Sequence, residues 1–208
     1  MISGPKAALR REKLKAALID AAERAIERDG LRALRARDLA TEAGCAVGAI
    51  YNAVADLDEL IFAVNARTLA ALERSFTAAG ADRQPADGAT AQFVRLALAY
   101  TDFAAANGPR WRALFGHQLP AGREIPAPYM ADQLRLFSYV EVPLQTLLPA
   151  ITPKRRTLLA RSLFSAVHGI VVLGLEEKLQ SIPLPVLREQ VTFLVKAMAK
   201  GLPQAAEK

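Results

Sequence analysis

The sequence predicts an all-α protein with an N-terminal helix-turn-helix domain of three helices and a larger helical domain behind it. Three observations predict this fold class. Ala, Leu, Arg and Glu dominate the 208 residues, while the alternating β-branched residues typical of strands are scarce. Apolar residues recur at helical spacing in almost every segment. Gly, Asp and Pro separate these segments at the places where helices usually begin and end.

The composition excludes a disordered chain and indicates wide apolar faces: 52% of the residues are hydrophobic and 23% are charged. No apolar run is long enough for a membrane span, and no apolar segment follows the basic N-terminus, so we predict neither a span nor a secretory signal. The single cysteine, Cys45, cannot form a disulfide within the chain. We therefore expect a reducing, cytoplasmic location.

The net charge of +6 is concentrated at the start of the chain. Five basic residues stand there against one acidic residue, Glu12: Lys6, Arg10, Arg11, Lys13 and Lys15. A basic end attracts nucleic acid or an anionic membrane surface, and it can also act only as a solubilising tail. Charge alone leaves these alternatives open.

Three helices are predicted in the first 55 residues. The first runs from Leu9 to Arg28, where apolar residues repeat at helical spacing, and Asp29-Gly30 ends it. Two short helices follow, near residues 36–43 and 47–53, with Gly44 between them. Short helices joined in this way form a helix-turn-helix.

The spacing of residues in this motif has a physical reason. Ala40 is small enough for the two short helices to cross closely, and Gly44 tolerates the positive φ of the turn. Leu39, Cys45 and Ile50 can then fill the centre. The second short helix is left to present a face of small residues and one tyrosine: Val47, Gly48, Ala49, Tyr51 and Asn52.

Such a face suits the major groove of DNA. Small side chains let the helix lie deep in the groove, and the Tyr51 hydroxyl can reach a phosphate oxygen. Asn52 can pair with adenine, while Val47 and Ala49 can contact thymine methyl groups. The Ala-x-x-x-Gly spacing by itself also fits an ordinary pair of helices in an α-bundle, so the prediction depends on the motif and the basic N-terminus together.

The stretch "LRARDLATEAGCAVGAIYNAVADLDELI", residues 34–61, resembles the DNA-binding domain of the TetR family of bacterial transcriptional regulators. Eight residues match that family's pattern in register: Leu39, Ala40, Ala43, Gly44, Gly48, Ile50, Tyr51 and Leu60. The resemblance implies an all-helical homodimer whose N-terminal domains, residues 1–55, bind a palindromic operator in double-stranded DNA. It also implies that the C-terminal domains, residues 56–208, bind a small-molecule effector and form the dimer. We therefore predict a ligand-responsive regulator acting as a repressor, with a ligand-independent repressor as the alternative.

The stretch departs from the family's pattern at several positions, among them its usual phosphate anchors. Five residues differ: Arg35 replaces a capping Thr, Ala46 a Ser, Ala49 a Thr, Val54 a Phe and Leu57 a Lys. We expect basic residues elsewhere to supply phosphate contacts instead. These are Lys6, Arg10, Arg11, Arg35 and Arg37.

Six further helices are predicted in the C-terminal part. Asp56 can cap the first of them, with Glu59 placed as in a capping box. We expect the helices at about residues 57–76, 90–106, 109–115, 129–148, 153–179 and 183–200. Pro143 should kink or break the fourth of these. The Gly- and Pro-rich loop 116–128 is long enough to be functional, and we expect that it could admit a ligand.

The last two helices predict dimerisation. The stretches "WRALF" (111–115) and "FSAVHGIVVLGL" (164–175) resemble a TetR subfamily with a Trp-His-Gly signature; His168-Gly169 is kept and Val167 stands at the tryptophan position. The helix around residues 158–175 is apolar on more than one face, so a partner chain should cover part of it. The predicted interface residues are Leu163, Val167, Val171, Val191, Leu194 and Met198.

Aromatic residues predict a ligand cavity in the C-terminal domain, since apolar concave sites with few polar groups usually bind small molecules. The candidate residues are Tyr100, Phe103, Trp111, Phe115, Phe137, Phe164 and His168. The effector they imply is small and largely apolar. The alternative is that the same residues are ordinary core residues.

Two other classes of protein are less compatible with the sequence. It carries no Gly-x-Ser-x-Gly, no phosphate-binding glycine loop and no Cys/His metal spacing, so we predict no enzyme, no metal and no cofactor. Only His117 and His168 are available as histidine bases. A membrane-surface protein would need a Trp/Phe face that the basic N-terminal helix lacks, so we expect no membrane partner.

Overall fold

The computed structural model describes residues 5–81, 88–176 and 182–206. These residues form nine α-helices and one short 3-10 helix and contain no strand, which confirms the predicted all-α class. The elements in chain order are α1 (Pro5–Asp29), the 3-10 helix (Leu31–Ala33), α2 (Ala36–Glu42), α3 (Val47–Ala53), α4 (Leu57–Ala81), α5 (Ala89–Ala106), α6 (Gly108–Gly116), α7 (Ala127–Leu147), α8 (Pro153–Gly174) and α9 (Leu184–Ala206).

The described residues divide into two compact units, which we call the first and the second unit. The first contains residues 5–70 and 107–129, and the second contains residues 71–106 and the described residues from 130 onward. The predicted boundary between residues 55 and 56 does not coincide with this division. The first half of α4 and all of α6 belong to the first unit, because α6 packs against α1 and Ala113 of α6 joins the core there.

Large apolar side chains from α1 to α4 fill the core of the first unit. Leu18 and Ile26 of α1, Leu39 of α2, Ile50 of α3 and Leu60 of α4 are fully buried. Burial of each such side chain contributes about 1.5–3 kcal/mol relative to leaving it in water. Helices as short as α2 and α3, with seven residues each, are not stable alone in water, so this core holds them in place.

Hydrogen bonds fix the start of α4 in a variant of the predicted capping box, in which Asp56 caps the helix and Glu59 bonds to the residue before the cap. The Glu59 N–H donates to Asp56 Oδ1 at 2.9 Å, and the Ala55 N–H donates to Glu59 Oε2 at 2.7 Å. Lys15 of α1 donates to Glu59 Oε1 at 2.6 Å. Partial burial opposes ionisation of both carboxyl groups, but hydrogen bonds to their charged forms outweigh it and lower the pKa of Asp56 and of Glu59.

Helices α5, α8 and α9 pack together in the second unit. Tyr100 of α5, Val171 of α8, and Leu187 and Val191 of α9 are buried there. Gly174, the last residue of α8, lies so close to α9 that an added Cβ would be 2.6 Å from Leu187 Cδ1. A larger residue at this position would therefore require the buried Leu187 side chain to move.

Several helix ends differ from the predicted ones. α1 begins at Pro5, a residue suited to the first helical turn, and not at Leu9. α8 ends at Gly174, before the predicted end near 179, and residues 177–181 lie outside the described ones. α9 continues past Gly201, because glycine ends a helix when it adopts a positive φ and Gly201 does not. α7 continues through Pro143 without a break.

Among the described helices, α8 is the one that is long and apolar enough to cross a membrane by length and composition. A buried core helix has the same length and composition. α8 packs against α5 and α9, so its apolar residues have protein neighbours within the second unit.

Candidate functional site

The helix-turn-helix has the geometry that its residues predict. The Ala43 N–H donates to the Leu39 carbonyl and the Cys45 N–H donates to the Ala40 carbonyl, each at 2.9 Å, which closes the turn after α2. Gly44 has a φ of +67°, a conformation that residues with side chains rarely adopt. Ala40 is buried and Cys45 packs against the same core. This core holds α3 with one face inward and the other outward.

The outward face of α3 carries small residues and one tyrosine. Tyr51 is 55% exposed and Val47 is 41% exposed, and Gly48 and Asn52 are exposed as well. Ala49 is half-buried beside them. No residue of α3 carries a charge, so this face can offer base edges methyl groups, an amide and a phenolic hydroxyl.

Neither α2 nor α3 has a side-chain N-cap. Arg35 and Ala46 occupy the cap positions, and neither makes a side-chain cap hydrogen bond. The Arg35 guanidinium donates instead to the carbonyl oxygens of Arg32 at 2.7 Å and Leu34 at 3.0 Å. Arg35 therefore stabilises the turn before α2 while its side chain stays exposed.

The other residues predicted to bind phosphate are exposed. Lys6, Arg10 and Arg11 lie in the first two turns of α1, and Arg37 lies in the first turn of α2. Lys6 and Arg10 are four residues apart, so they share one side of α1. The basic N-terminal stretch is helical from Pro5 onward, which fixes the spacing of its charges.

An apolar cavity lies within the second unit. Its volume is about 50 Å³, below the roughly 300–1,000 Å³ of typical small-molecule sites, so its walls must move apart to admit a ligand. Phe76 of α4 and Val140 of α7 line it together with residues of α5, α8 and α9. These are Phe93, Leu96, Ala97, Tyr100, Leu163, Phe164, Val167, Val195, Met198, Ala199 and Leu202. Among these described lining residues, Tyr100 alone carries a hydroxyl, amide or charged group.

The Tyr100 hydroxyl is engaged with His168. Its oxygen lies 2.6 Å from His168 Nδ1, and the His168 ring stacks on Phe164 with centroids 5.4 Å apart. Burial lowers the pKa of His168, so the imidazole is neutral near pH 7. A neutral imidazole can accept the tyrosine proton at Nδ1.

Two family sequence profiles match the chain. One, described as a tetracyclin repressor-like C-terminal domain, matches residues 93–198, and the other, described as bacterial regulatory proteins of the tetR family, matches residues 18–64. The first profile alone covers about half of the chain. The chain belongs to the TetR family. It is a transcriptional regulator. A comparison with curated protein sequences found no significant match.

Solved structures share the fold of this TetR-family chain. A protein of unknown function from Rhodococcus sp. RHA1 matches with a TM-score of 0.72 at 25% identity, over 90% of this chain and 94% of that chain. A tetR-family transcriptional regulator from Streptomyces coelicolor matches with a TM-score of 0.63 at 22% identity, over 99% and 85%. A bacterial regulatory protein in the tetR family from Rhodococcus RHA1 matches with a TM-score of 0.60 at 17% identity, over 90% and 97%.

An ion cluster holds α6 of this TetR-family regulator against α1 and α4. Arg110 of α6 donates to Glu23 at 2.6 Å, and its Nε lies 3.1 Å from Glu27. Arg67 of α4 donates to Glu23 and to Asp20, each at 2.7 Å. The sequence does not reveal this cluster, because pairs 40 or more residues apart leave no local pattern.

A second cluster binds the loop 116–128 to the start of α4. His117 Nε2 lies 2.9 Å from Asp58 Oδ1, and Arg123 donates to Asp58 Oδ2 at 3.0 Å and to Asp56. These contacts place the loop in the first unit, whereas the apolar cavity lies in the second. The predicted role of this loop in admitting a ligand stays a prediction.

Five of the predicted ligand-binding residues lie in the second unit. Tyr100 and Phe164 line the cavity. Phe137 and His168 contact lining residues without being lining residues themselves. The Phe137 ring meets Phe164 edge-on with centroids 5.5 Å apart, and His168 is hydrogen-bonded to Tyr100. Phe103 is buried on α5 and is not among the lining residues.

Trp111 and Phe115 lie in the first unit, which corrects their assignment to the cavity. Their rings meet edge-on with centroids 5.9 Å apart, and Trp111 is buried. The reason is that α6 packs against α1, a pairing that aromatic content in the sequence does not reveal.

The predicted dimer residues face the interior more than expected. Val167, Val171 and Val191 are buried within the chain, so we correct their assignment to a surface. Leu163 and Met198 line the cavity and are half-buried, so their assignment stays a prediction. Leu194 is half-buried. The large apolar side chains that α8 and α9 leave exposed are Leu158, Leu173, Leu184, Val186 and Phe193, the last of them 72% exposed. Apolar periodicity could not separate these faces, because both helices are apolar on several sides.

Proposed function

We propose that this regulator binds palindromic operator DNA as a homodimer, acts as a repressor in the cytoplasm, and releases DNA when a small, largely apolar effector enters the cavity of the second unit. The observation that carries the proposal is the outward face of α3. Its small residues and Tyr51 are exposed on a helix whose opposite face is fixed by the buried Ile50. Membership of the TetR family supports operator binding as the use of this face.

The chemistry of α3 favours contacts with A·T base pairs. Asn52 can form a bidentate pair with adenine, and the methyl groups of Val47 and Ala49 suit the thymine methyl group. Tyr51 can donate a hydrogen bond to a phosphate. Exposed cations add contacts to the DNA phosphate backbone, whose strength depends on salt concentration and not on DNA sequence. These cations are Lys6, Arg10, Arg11, Arg35 and Arg37.

A palindromic operator requires two copies of α3. The exposed apolar side chains of α8 and α9, with Phe193 the most exposed, offer a surface that a second copy of the chain would cover. Four small residues, Ser162, Ser165 and Gly169 on α8 and Ala197 on α9, lie on the same two helices, while the exposed Glu189 and Lys196 lie within one turn of Phe193. We therefore place the dimer contact on this face and not on the buried residues that the sequence indicates.

The effector acts through α4 in this proposal. Phe76 lines the cavity, and the same helix begins at Leu57, four residues after α3 ends at Ala53. An effector that binds best when the side chains around Phe76 pack differently would shift the population toward conformations in which α4 has moved. Because α4 follows α3 directly in the chain, α3 would move as well. The coupling is expected to be of order 1–3 kcal/mol and reciprocal, so operator DNA must weaken effector binding by the same factor.

The test begins with selection of an operator from random DNA duplexes by the full-length protein. We expect a palindrome with A·T pairs at the positions that α3 reads. Asn52→Ala should relax discrimination at one adenine by about 1–3 kcal/mol. Gln190→Ala, at an exposed residue of α9, is the control and should leave binding unchanged. Recovery of no preferred sequence at low salt would contradict operator binding.

Effector response is tested on the selected operator. Val140→Phe adds a ring to the cavity wall and should make the protein insensitive to compounds that release the wild type, while DNA binding stays intact. A library of small apolar compounds is screened for release. If none releases the wild type, the effector part of the proposal fails and a ligand-independent repressor remains.

A further inference from the structure

We infer that Arg123, in the loop 116–128, supports DNA binding by neutralising the carboxylates of Asp56 and Asp58, which would otherwise repel the phosphates beside α3. This inference rests on the proposed function, since it needs α3 to lie in the major groove of DNA. It comes from the charges at the start of α4 and from the cations that contact them.

The segment that follows α3 is acidic, which is unfavourable close to DNA. Residues 54–60 contain three carboxylates, those of Asp56, Asp58 and Glu59, and no basic residue. Asp56 comes four residues after Asn52 of the outward face, and four residues span at most about 14 Å. A helix in the major groove has a phosphate backbone on each side. Carboxylates at this place therefore weaken DNA binding unless cations balance them.

Each of the three carboxylates contacts a cation from elsewhere in the first unit. Lys15 of α1 donates to Glu59 Oε1 at 2.6 Å. Arg123 donates to Asp58 Oδ2 at 3.0 Å and also to Asp56. One arginine, more than 60 residues away in the sequence, therefore bridges two carboxylates at the start of α4.

The loop holds Arg123 in this place by contacts of its own. The Arg123 N–H donates to the Pro120 carbonyl at 3.2 Å, which closes a turn just before the bridging side chain. His117, the first residue after α6, has its Nε2 2.9 Å from Asp58 Oδ1, and its ring meets Phe62 of α4 edge-on with centroids 4.9 Å apart. The loop is therefore attached to α4 through His117 as well as through Arg123.

The contact between Arg123 and Asp56 affects local charge more than folding stability. The Arg123 side chain is 44% exposed and that of Asp56 is 30% exposed, and ion pairs as accessible as this contribute little to stability. Burial opposes ionisation of Asp56, but hydrogen bonds from the Glu59 N–H and from Arg123 outweigh it and lower its pKa. The carboxylate is therefore charged at neutral pH, and loss of Arg123 would leave this negative charge beside α3.

Two other roles for Arg123 would give different results. If Arg123 itself donated to a DNA phosphate, its loss would weaken binding whether or not the carboxylates were charged. If it only held the loop in place, its loss would lower the melting temperature of the protein. Neutralisation makes the effect of Arg123 depend on Asp56 and Asp58, and a double-mutant cycle measures this dependence.

The test measures binding of the full-length protein to a labelled DNA duplex of mixed sequence at about 10 mM salt, where the Debye length is about 30 Å. Such binding depends on phosphates and needs no operator. Arg123→Gln should weaken it by about three- to tenfold, and the loss should shrink as the salt is raised to about 150 mM. Arg123→Lys keeps the charge and should retain most of the affinity.

The same change is then made in a protein whose two carboxylates are neutral. Asp56→Asn with Asp58→Asn keeps a cap on α4, since asparagine caps helices about as well as aspartate. In this background Arg123→Gln should change the affinity by less than about twofold. Arg135→Gln is the matched control, because Arg135 is an exposed arginine that also pairs with two carboxylates but lies in the second unit. It should leave the affinity unchanged.

Thermal melting of each variant and the binding of the wild type separate the outcomes. An equal loss from Arg123→Gln in both backgrounds, at an unchanged melting temperature, would mean that Arg123 contacts DNA itself and would overturn this inference. A loss accompanied by a lower melting temperature in both backgrounds would assign Arg123 to the structure of the loop, and full affinity of Arg123→Gln would also refute neutralisation. In each of these cases DNA binding would stand. A wild type that binds no duplex at low salt would refute the proposed function and this inference together.

Discussion

The Tyr100 hydroxyl and His168 Nδ1 lie 2.6 Å apart between α5 and α8, and burial holds the pKa of His168 below its ordinary value of 6.5. At neutral pH the unprotonated Nδ1 can accept the tyrosine proton. Protonation turns Nδ1 into a donor and places a charge among the rings of Phe164 and Tyr100. The hydrogen bond therefore joins two helices of the cavity in a way that responds to pH.

The protein should become less stable as the pH drops below about 6.5, because burial in the folded state disfavours the protonated form of His168. A lowered pKa in the folded state means that the unfolded chain binds the proton first. The free energy of unfolding then decreases from about pH 6.5 downward and levels off once folded His168 is protonated as well. Urea unfolding of the wild type and His168→Asn at a series of pH values isolates this component. Parallel pH dependences in the two proteins would rule it out.

Gly174→Ala should destabilise the second unit. The new Cβ would lie 2.6 Å from Leu187 Cδ1, so one side chain or helix must shift, and overpacking of this kind costs about 1–3 kcal/mol. Gly169→Ala in the same helix is the matched control, because a Cβ there meets nothing within 4 Å and alanine favours a helix by up to about 1 kcal/mol. Denaturant unfolding compares the two. Equal effects of both substitutions would argue against the close α8–α9 approach.

The N-terminal cations and Tyr51 should affect DNA binding differently. Replacing Arg10 and Arg11 with Gln removes charge, so the slope of log affinity against log salt should become shallower by about 0.9 for each phosphate that the variant no longer neutralises. Tyr51→Phe removes a neutral donor and should weaken binding by about 0.5–1.5 kcal/mol without changing the slope. Lys200→Gln, at an exposed lysine of α9, controls for net charge. An unchanged slope in the double arginine variant would count against phosphate binding by α1.

Phe193→Glu should convert the proposed homodimer to monomers. Phe193 is 72% exposed, so a dimer that covers it would have to bury the new carboxylate without a partner. The exposed position also means that the folded monomer tolerates the change. Val142→Glu, at a valine of α7 that is 61% exposed, is the control and should leave the dimer intact. Sedimentation at micromolar concentration distinguishes the two, and a wild type that sediments as a monomer would refute the proposed interface.

The helix-turn-helix is predictable because its determinants are local. Ala40, Gly44 and Ile50 lie within eleven residues of one another, and their sizes and backbone needs are enough to specify a tight turn between two helices. Asp56 and Glu59 predict the start of α4 for the same reason. Short-range hydrogen bonds and apolar spacing leave a pattern in the sequence, and the structure contains the bonds that the pattern implies.

The membership of α6 in the first unit is not predictable in this way. It depends on pairs such as Arg110 with Glu23, which are 87 residues apart, and many arginines and glutamates of this chain could pair equally well. The inward faces of α8 and α9 also leave no local pattern. Val171 and Phe193 look alike as apolar residues in apolar helices, and only the packing of the whole unit buries one and exposes the other.

The placement of Trp111 in the core of the first unit gives this protein a selective optical signal. Trp111 is the single tryptophan of the chain, so the tryptophan emission reports on the packing around α6 and α1, whereas circular dichroism reports on helices of both units. Unfolding curves from the two signals coincide only if the units lose structure together. Emission that changes at a lower denaturant concentration than the helical signal would mean that the unit carrying the helix-turn-helix unfolds first. That unit would then be the less stable of the two, and bound DNA would stabilise it.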